Sequence, residues 1–184
     1  MSQSQASSAG VVIEPLRELV QHVIQDLKTR TTTPELPTGI DKLDEAIWGI
    51  HRSELTVISA RPGEGKSTLS LQIARHLADQ GKKVVFLSLE MTRHQLTERI
   101  LVQLTQTEAW QLRIGNPLVI AEFLKKLEAL DSLWPKLNLH IIDGMGKTFQ
   151  EVQHLLYLLS TQGGGAPDVL VVDHVQLARG DSPL

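Results

Sequence analysis

The chain has no cysteine, which excludes disulfide scaffolds and thiolate metal sites. It has few aromatic residues, with three Trp, three Phe and one Tyr among 184. That is poor material for a surface that binds single strands by stacking bases on rings. It has no excess of either charge, since 18 Lys and Arg against 21 Asp and Glu leave a formal −3. Contact with a polyanion must therefore use a local basic surface rather than the field of the whole molecule. It has no apolar run approaching the ~20 residues of a bilayer span. The opening MSQSQASSAG carries neither the basic nor the apolar part of a secretory signal, so a cytoplasmic protein without membrane contact is expected.

What is present suits one domain with a real core, and two full domains would be cramped in this length. Residues 1–10 are Ser/Gln/Ala-rich and aperiodic, the composition of a disordered tail. Residues 11–30 hold an amphipathic helix: Leu16, Leu19, Val20, Val23, Ile24 and Leu27 share one helical stripe. That stripe must be buried against its own domain or against a neighbour. Thr31, Thr32, Thr33 and Pro34 end the helix, and residues 31–37 read as a linker. The body, residues 38–184, alternates strands and helices. Strands are expected at 55–60 and 83–89, joined by a helix over 66–80 that Gly81 closes. A Thr92/Gln95 capping box opens a helix from Arg93 to about Gln106, with Met91 stapling onto Leu96. A helix over 117–130, a strand at 137–142, a helix opened by Thr148 and Glu151 and broken by Gly163 to Gly165, and a strand at 169–172 follow. This is an α/β pattern with a parallel sheet.

The chemistry is concentrated at strand ends. Ala60-Arg61-Pro62-Gly63-Glu64-Gly65-Lys66-Ser67 matches a phosphate-binding P-loop except for Ala60 in place of the first glycine. Gly63 and Gly65 let backbone N–H groups curl round phosphate oxygens, and the helix that follows points its positive end at them. Lys66 reaches the β/γ-phosphates and the Ser67 hydroxyl serves Mg²⁺; residues Arg61 to Thr68 together form the expected nucleotide contact. A chance match is the bland alternative, weakened by the β-rich run before the loop and the helix within it. The apolar run Val169-Leu170-Val171-Val172 ends in Asp173, the form of a Walker B carboxylate that holds the metal opposite Ser67. Asp also ends strands for turn reasons. Glu90 closes the next strand, where ligands of open α/β sheets bind. It is either the group that orients the attacking water or a solvated strand-end residue.

Taken together, these residues resemble the RecA-type motor domain of DnaB-family replicative DNA helicases. The matching pieces are Thr38-Gly39-Ile40-Asp41-Lys42-Leu43, the alanine-led Ala60-Arg61-Pro62, Ser88-Leu89-Glu90-Met91, and Asp173-x-x-Gln176-Leu177. The resemblance spans residues 14–177. It implies a RecA-like P-loop NTPase core, ATP and Mg²⁺ as ligands, Glu90 as the catalytic carboxylate with Lys66 beside it, and Arg99 contacting the nucleotide base. It further implies that the amphipathic helix is a linker helix docking on the adjacent subunit of a hexameric ring, and that the partner is single-stranded DNA.

Two positions depart from the family. His174 stands where tyrosine is usual and reads as a packing variant. The chain also ends at Leu184, before the sensor strand that in RecA-type sheets sits between the P-loop and Walker B strands, and before the DNA-binding loops and arginine finger. The expectation is a partial domain whose sheet has an open central place, exposing edges and apolar faces: a fragment, a split gene product or a degenerate relative. Two other functions compete with an ATP-driven helicase motor: a nucleotide-binding or interaction module without turnover, and another RecA-like ATPase of recombinase or clock-protein type.

Overall fold

The structure, a computed structural model, describes residues 14–29, 34–132, 134–162 and 165–174. The expected tail at 1–10 and the threonines of the linker lie outside the described residues. Contacts divide the chain into two compact units, residues 1–34 and 35–184.

In the first unit one helix, α1 (Leu16–Thr29), forms where the stripe predicted it. Glu18 sits in its first turn and Lys28 in its last, each complementing the helix dipole. Leu16, Val23 and Leu27 on the stripe are all more than half exposed.

The second unit runs α2 (Asp41–Ile47), α3 (Lys66–Asp79), β1 (Val84–Ser88), α4 (Arg93–Thr105), α5 (Ala109–Ile114), α6 (Pro117–Ala129), β2 (Leu139–Asp143), α7 (Phe149–Gln162) and β3 (Val169–Asp173), with a short 3₁₀ turn at Trp134–Lys136 before β2. The three strands form a parallel sheet in the order β2-β1-β3. The register pairs Ser88 at once with Asp143 and Asp173, so all three strands end level with one another.

Because β1 has a neighbour on each edge and helices over both faces, every one of its five residues is buried. Its side chains alternate between two cores, as the period of a strand requires. Val84 and Phe86 pack with Leu71, Ala74 and Leu77 of α3 and with Leu96 and Ile100 of α4. Leu87 joins Leu89 and Val152 of α7 on the opposite side. The near-continuous apolar run from Val84 to Leu87 is the signature of a strand buried on both faces.

Local signals fix the helix ends. Thr92 Oγ1 accepts from Gln95 N while the Gln95 side chain accepts from Thr92 N, so the predicted capping box is formed. Thr148 and Glu151 make the same exchange at α7. Asn116 caps α6 through Leu118 N, with Pro117 as the first helical residue. Residues after α3 turn back through Gly81 (φ +81°), and Lys82 N bonds Leu77 O at 3.1 Å.

One expectation fails. Residues 55–60 do not form a strand: they are irregular, with Leu55 90% and Val57 74% exposed. A strand is defined by a paired neighbour, and both edges of β1 are already taken by β2 and β3. Among the described residues no strand pairs with the outer edge of β3 or with 55–60, although Ile58 still packs against the main core. Two short helices, α2 and α5, and the 3₁₀ turn had no expectation at all. The caps of α2 and α5, Ile40 and Glu108, bond no backbone through their side chains, and both helices are too short to show a stripe.

Candidate functional site

The glycine loop enters α3 directly. Gly63 (φ +83°) and Gly65 (φ +89°) both take the left-handed backbone, and Gly65 is the N-cap of α3. Nothing lies within 4 Å of where a Cβ would stand on either glycine. The requirement for glycine here is thus conformational and leaves open space above the loop. Between them Glu64 closes a small turn: its backbone N–H donates to Arg61 O and its carboxylate accepts from Arg61 N, each at 3.2 Å. Residues 61–65 and Thr68 are exposed, while Lys66 and Ser67 are half-buried at the first turn of α3.

The direction of α3 follows from its connection. It packs on β1 and β3, and only residues 80–83 join it to β1. It must run back along the strand, which brings its first turn to the carboxyl end of the sheet. That is the end where Glu90, two residues past β1, and Asp173, the last residue of β3, are found.

There the backbone is pinned closely. Leu89 N donates to Asp173 O at 2.7 Å and Gly144 N to Ser88 O at 2.8 Å, so the exits from all three strands are tied together. The buried Ser88 hydroxyl accepts from Met91 N at 2.9 Å, closing the turn that carries Glu90 outward. The Glu90 side chain is 49% exposed and its Oε2 lies 3.2 Å from Nδ1 of His174. Asp173 is buried, and its Oδ2 has no hydrogen-bond partner. One ligand atom from each of Glu90, Asp173 and His174 lies within 4.8 Å of the other two.

The structure therefore brings Glu90 and Asp173 together, as expected, and adds His174. Among the described residues no hydrogen bond or ion pair joins Lys66 or Ser67 to either carboxylate. Arg99 is exposed on α4. The residues present fit a triphosphate with its cation: open left-handed glycines at the head of a helix for the phosphates, and a buried carboxylate oxygen without a donor for the metal.

Two supports had no signal strong enough to find them. Asp44 accepts from both Thr38 N (2.7 Å) and Gly39 N (3.1 Å), fixing the turn at the start of the unit. Asp168 binds Arg52 and the amide of Lys83 at the head of β3. The Arg52 and Lys83 contacts hold the Asp168 carboxyl below its ordinary value, and Glu35 and Asp168 in turn raise the Arg52 guanidinium. His174 was visible in the sequence, but only tertiary structure shows that its ring faces Glu90.

A parallel sheet with helices on both faces, entered by a glycine loop that opens α3, defines an α/β fold of the RecA-like ATPase class. The chain belongs to the DnaB-like helicase C-terminal domain family, whose model matches residues 35–183. It is 34% identical over 144 residues to a probable plasmid replicative DNA helicase of Chlamydia psittaci, covering 77% of this chain and 30% of that protein. It is 31% identical over 143 residues to the replicative DNA helicase DnaB of Pasteurella multocida, with the same coverage. Among solved structures, an isolated ATPase domain superposes with a TM-score of 0.81 at 21% identity, covering 93% of this chain and 61% of that one. A DnaB-like replicative helicase studied with primase superposes at 0.78 and 22% identity, covering 90% and 41%. The chain spans about a third of the length of the curated relatives it matches. No helix among the described residues is long and apolar enough to cross a membrane.

Proposed function

We propose that this chain is the ATP-binding and hydrolysing motor segment of a ring-shaped replicative DNA helicase, in which hydrolysis drives unwinding. The observation that carries the reading is the convergence of Glu90 and Asp173 at the carboxyl end of the sheet, the end to which α3 returns the glycine loop. In this reading backbone N–H groups of residues 63–67 and the Lys66 ammonium hold the phosphates, and Arg61 to Thr68 line the nucleotide. Ser67 and Asp173 hold Mg²⁺, which when bound neutralises charge on the phosphate oxygens. Glu90 orients or deprotonates the attacking water, and Arg99 contacts the base. Residues 38–184 make up part of a RecA-like domain, and α1 is the linker helix. Its open apolar stripe supports docking on an adjacent subunit, and six copies around single-stranded DNA complete the ring.

A second reading, nucleotide binding without turnover, is favoured by one observation: the segment leading into the loop, residues 55–60, pairs with no strand among the described residues and is exposed except at Ile58. Magnesium-dependent ATP hydrolysis with and without single-stranded DNA decides between the two. The motor reading expects Lys66→Ala to abolish nucleotide binding, and Glu90→Gln to retain binding while losing about 10²-fold or more in rate. Equal hydrolysis by the native chain and Glu90→Gln removes Glu90 from catalysis. For the ring, sedimentation of a chain lacking residues 1–30 is expected to show loss of assembly; unchanged assembly rules out the linker-helix role.

A further inference from the structure

The cluster at the ends of β1 and β3 contains more than a nucleotide site requires. Three donors meet there, two carboxylates and an imidazole nitrogen, with their ligand atoms within 4.8 Å of one another. Exposed carboxylates often gather without a metal, so proximity alone carries little. The separate fact is Asp173: it is only 3% exposed, and its Oδ2 receives no hydrogen bond. A buried carboxylate oxygen without a donor costs about 1–3 kcal/mol, and a cation is the simplest group to remove that cost.

The kind of cation follows from the donors. Magnesium prefers oxygen ligands and gives up its water reluctantly, whereas an imidazole nitrogen favours the borderline first-row ions. We propose that Glu90, Asp173 and His174 form a transition-metal site that takes Zn²⁺, Co²⁺ or a similar divalent ion in the absence of nucleotide. Ligands at about 2.1 Å from a tetrahedral ion lie about 3.4 Å apart, and Glu90 Oε2 and His174 Nδ1, 3.2 Å apart, already stand near that spacing. Glu90, with a side chain 49% exposed, has the freedom to adjust its carboxylate to an ion. Water completes the coordination. Tyrosine at position 174 would offer a phenol in place of the imidazole and no comparable donor for such an ion. The site shares Glu90 and Asp173 with the proposed nucleotide site but uses no phosphate-loop residue, so metal binding by the nucleotide-free chain is tested apart from ATP binding.

The test is a titration of the full, nucleotide-free chain with Co²⁺ alone, followed by its visible d–d absorption, with circular dichroism to confirm folding. One saturating equivalent is expected. His174→Tyr and His174→Gln should each weaken binding by about tenfold or more, and Glu90→Gln should weaken it as well. Lys66→Ala should leave Co²⁺ binding intact, so failure of the nucleotide reading and failure of this one are told apart. No saturable binding by the native chain overturns the proposal. So does undiminished binding in folded His174 variants, which places the ion on another of the seven histidines. If neither His174 variant folds, nuclear magnetic resonance of the native chain decides: imidazole nitrogen signals from His174 must move on adding Zn²⁺, and unmoved signals refute the site.

Discussion

Asp168 holds Arg52 on one carboxylate oxygen and the backbone amide of Lys83 on the other, at 2.9 Å and 2.8 Å. The pair ties the loop before the phosphate-binding segment to the heads of β1 and β3. Glu35 also bonds Arg52, so one guanidinium bridges two carboxylates.

Replacing Asp168 with Asn should lower stability by about 1 kcal/mol, because a partly solvated ion pair is screened and the amide still offers one acceptor. The folded-state carboxyl is held below its ordinary value, first by the Arg52 hydrogen bond and then by the Lys83 amide. Its stabilisation is therefore complete above the unfolded value near 3.9 and fades as pH falls through the lower folded value. Urea midpoints at pH 7 and pH 3 should show a larger acid loss in the native chain than in Asp168→Asn. Equal losses would contradict this.

Gly144 is required by space. A Cβ there would stand 2.7 Å from Leu87 Cδ1, 2.9 Å from Leu89 Cδ2 and 3.3 Å from Ser88 O. Gly144→Ala should destabilise by about 1–3 kcal/mol through overpacking, read as a lowered thermal midpoint. Gly146→Ala is the contrasting variant, since no atom lies within 4 Å of its Cβ position; its cost comes from its left-handed backbone (φ +74°) alone.

Asp44 accepts two backbone N–H groups, one of them on Thr38, which is 1% exposed. Asp44→Ala leaves the Thr38 amide buried without an acceptor and should cost about 1–3 kcal/mol. Hydrogen exchange at Thr38 should rise by the corresponding factor. Unchanged protection would show that the turn holds without Asp44.

Leu55 and Val57 are exposed and unpaired in this chain. The double change Leu55→Ser and Val57→Ser should leave stability within about 0.5 kcal/mol of the native value and reduce aggregation on heating. A thermal midpoint lowered by several degrees would mean that these residues are buried in solution.

The elements with strong local chemistry were legible in the sequence: the stripe of α1, the capping boxes at Thr92 and Thr148, and the apolar run Val84 to Leu87 of β1 each appear close to where periodicity or capping placed them. Residues 55–60 have equally good strand composition but did not become a strand, because composition supplies side chains suited to a sheet and cannot supply the neighbour that pairs the backbone. The short helices α2 and α5 carried no capping or periodic signal to read. At the site, Glu90 and Asp173 were legible because Asp173 ends β3 and Glu90 follows β1 by two residues, and parallel strands in register bring their ends together. The Glu90–His174 contact was not legible, since it depends on how two loops leave adjacent strands.

The sequence alone determined the glycine loop, the strand-end carboxylates and the family motifs, because these depend on residue type and spacing along a few neighbouring positions. Only tertiary structure decided which strands pair, what Asp168 and Asp44 hold, and that His174 faces Glu90. Apart from the short-range Asp44 turn, those relationships join residues far apart in the chain, and they follow from the burial of β1 between two helical layers rather than from any local preference.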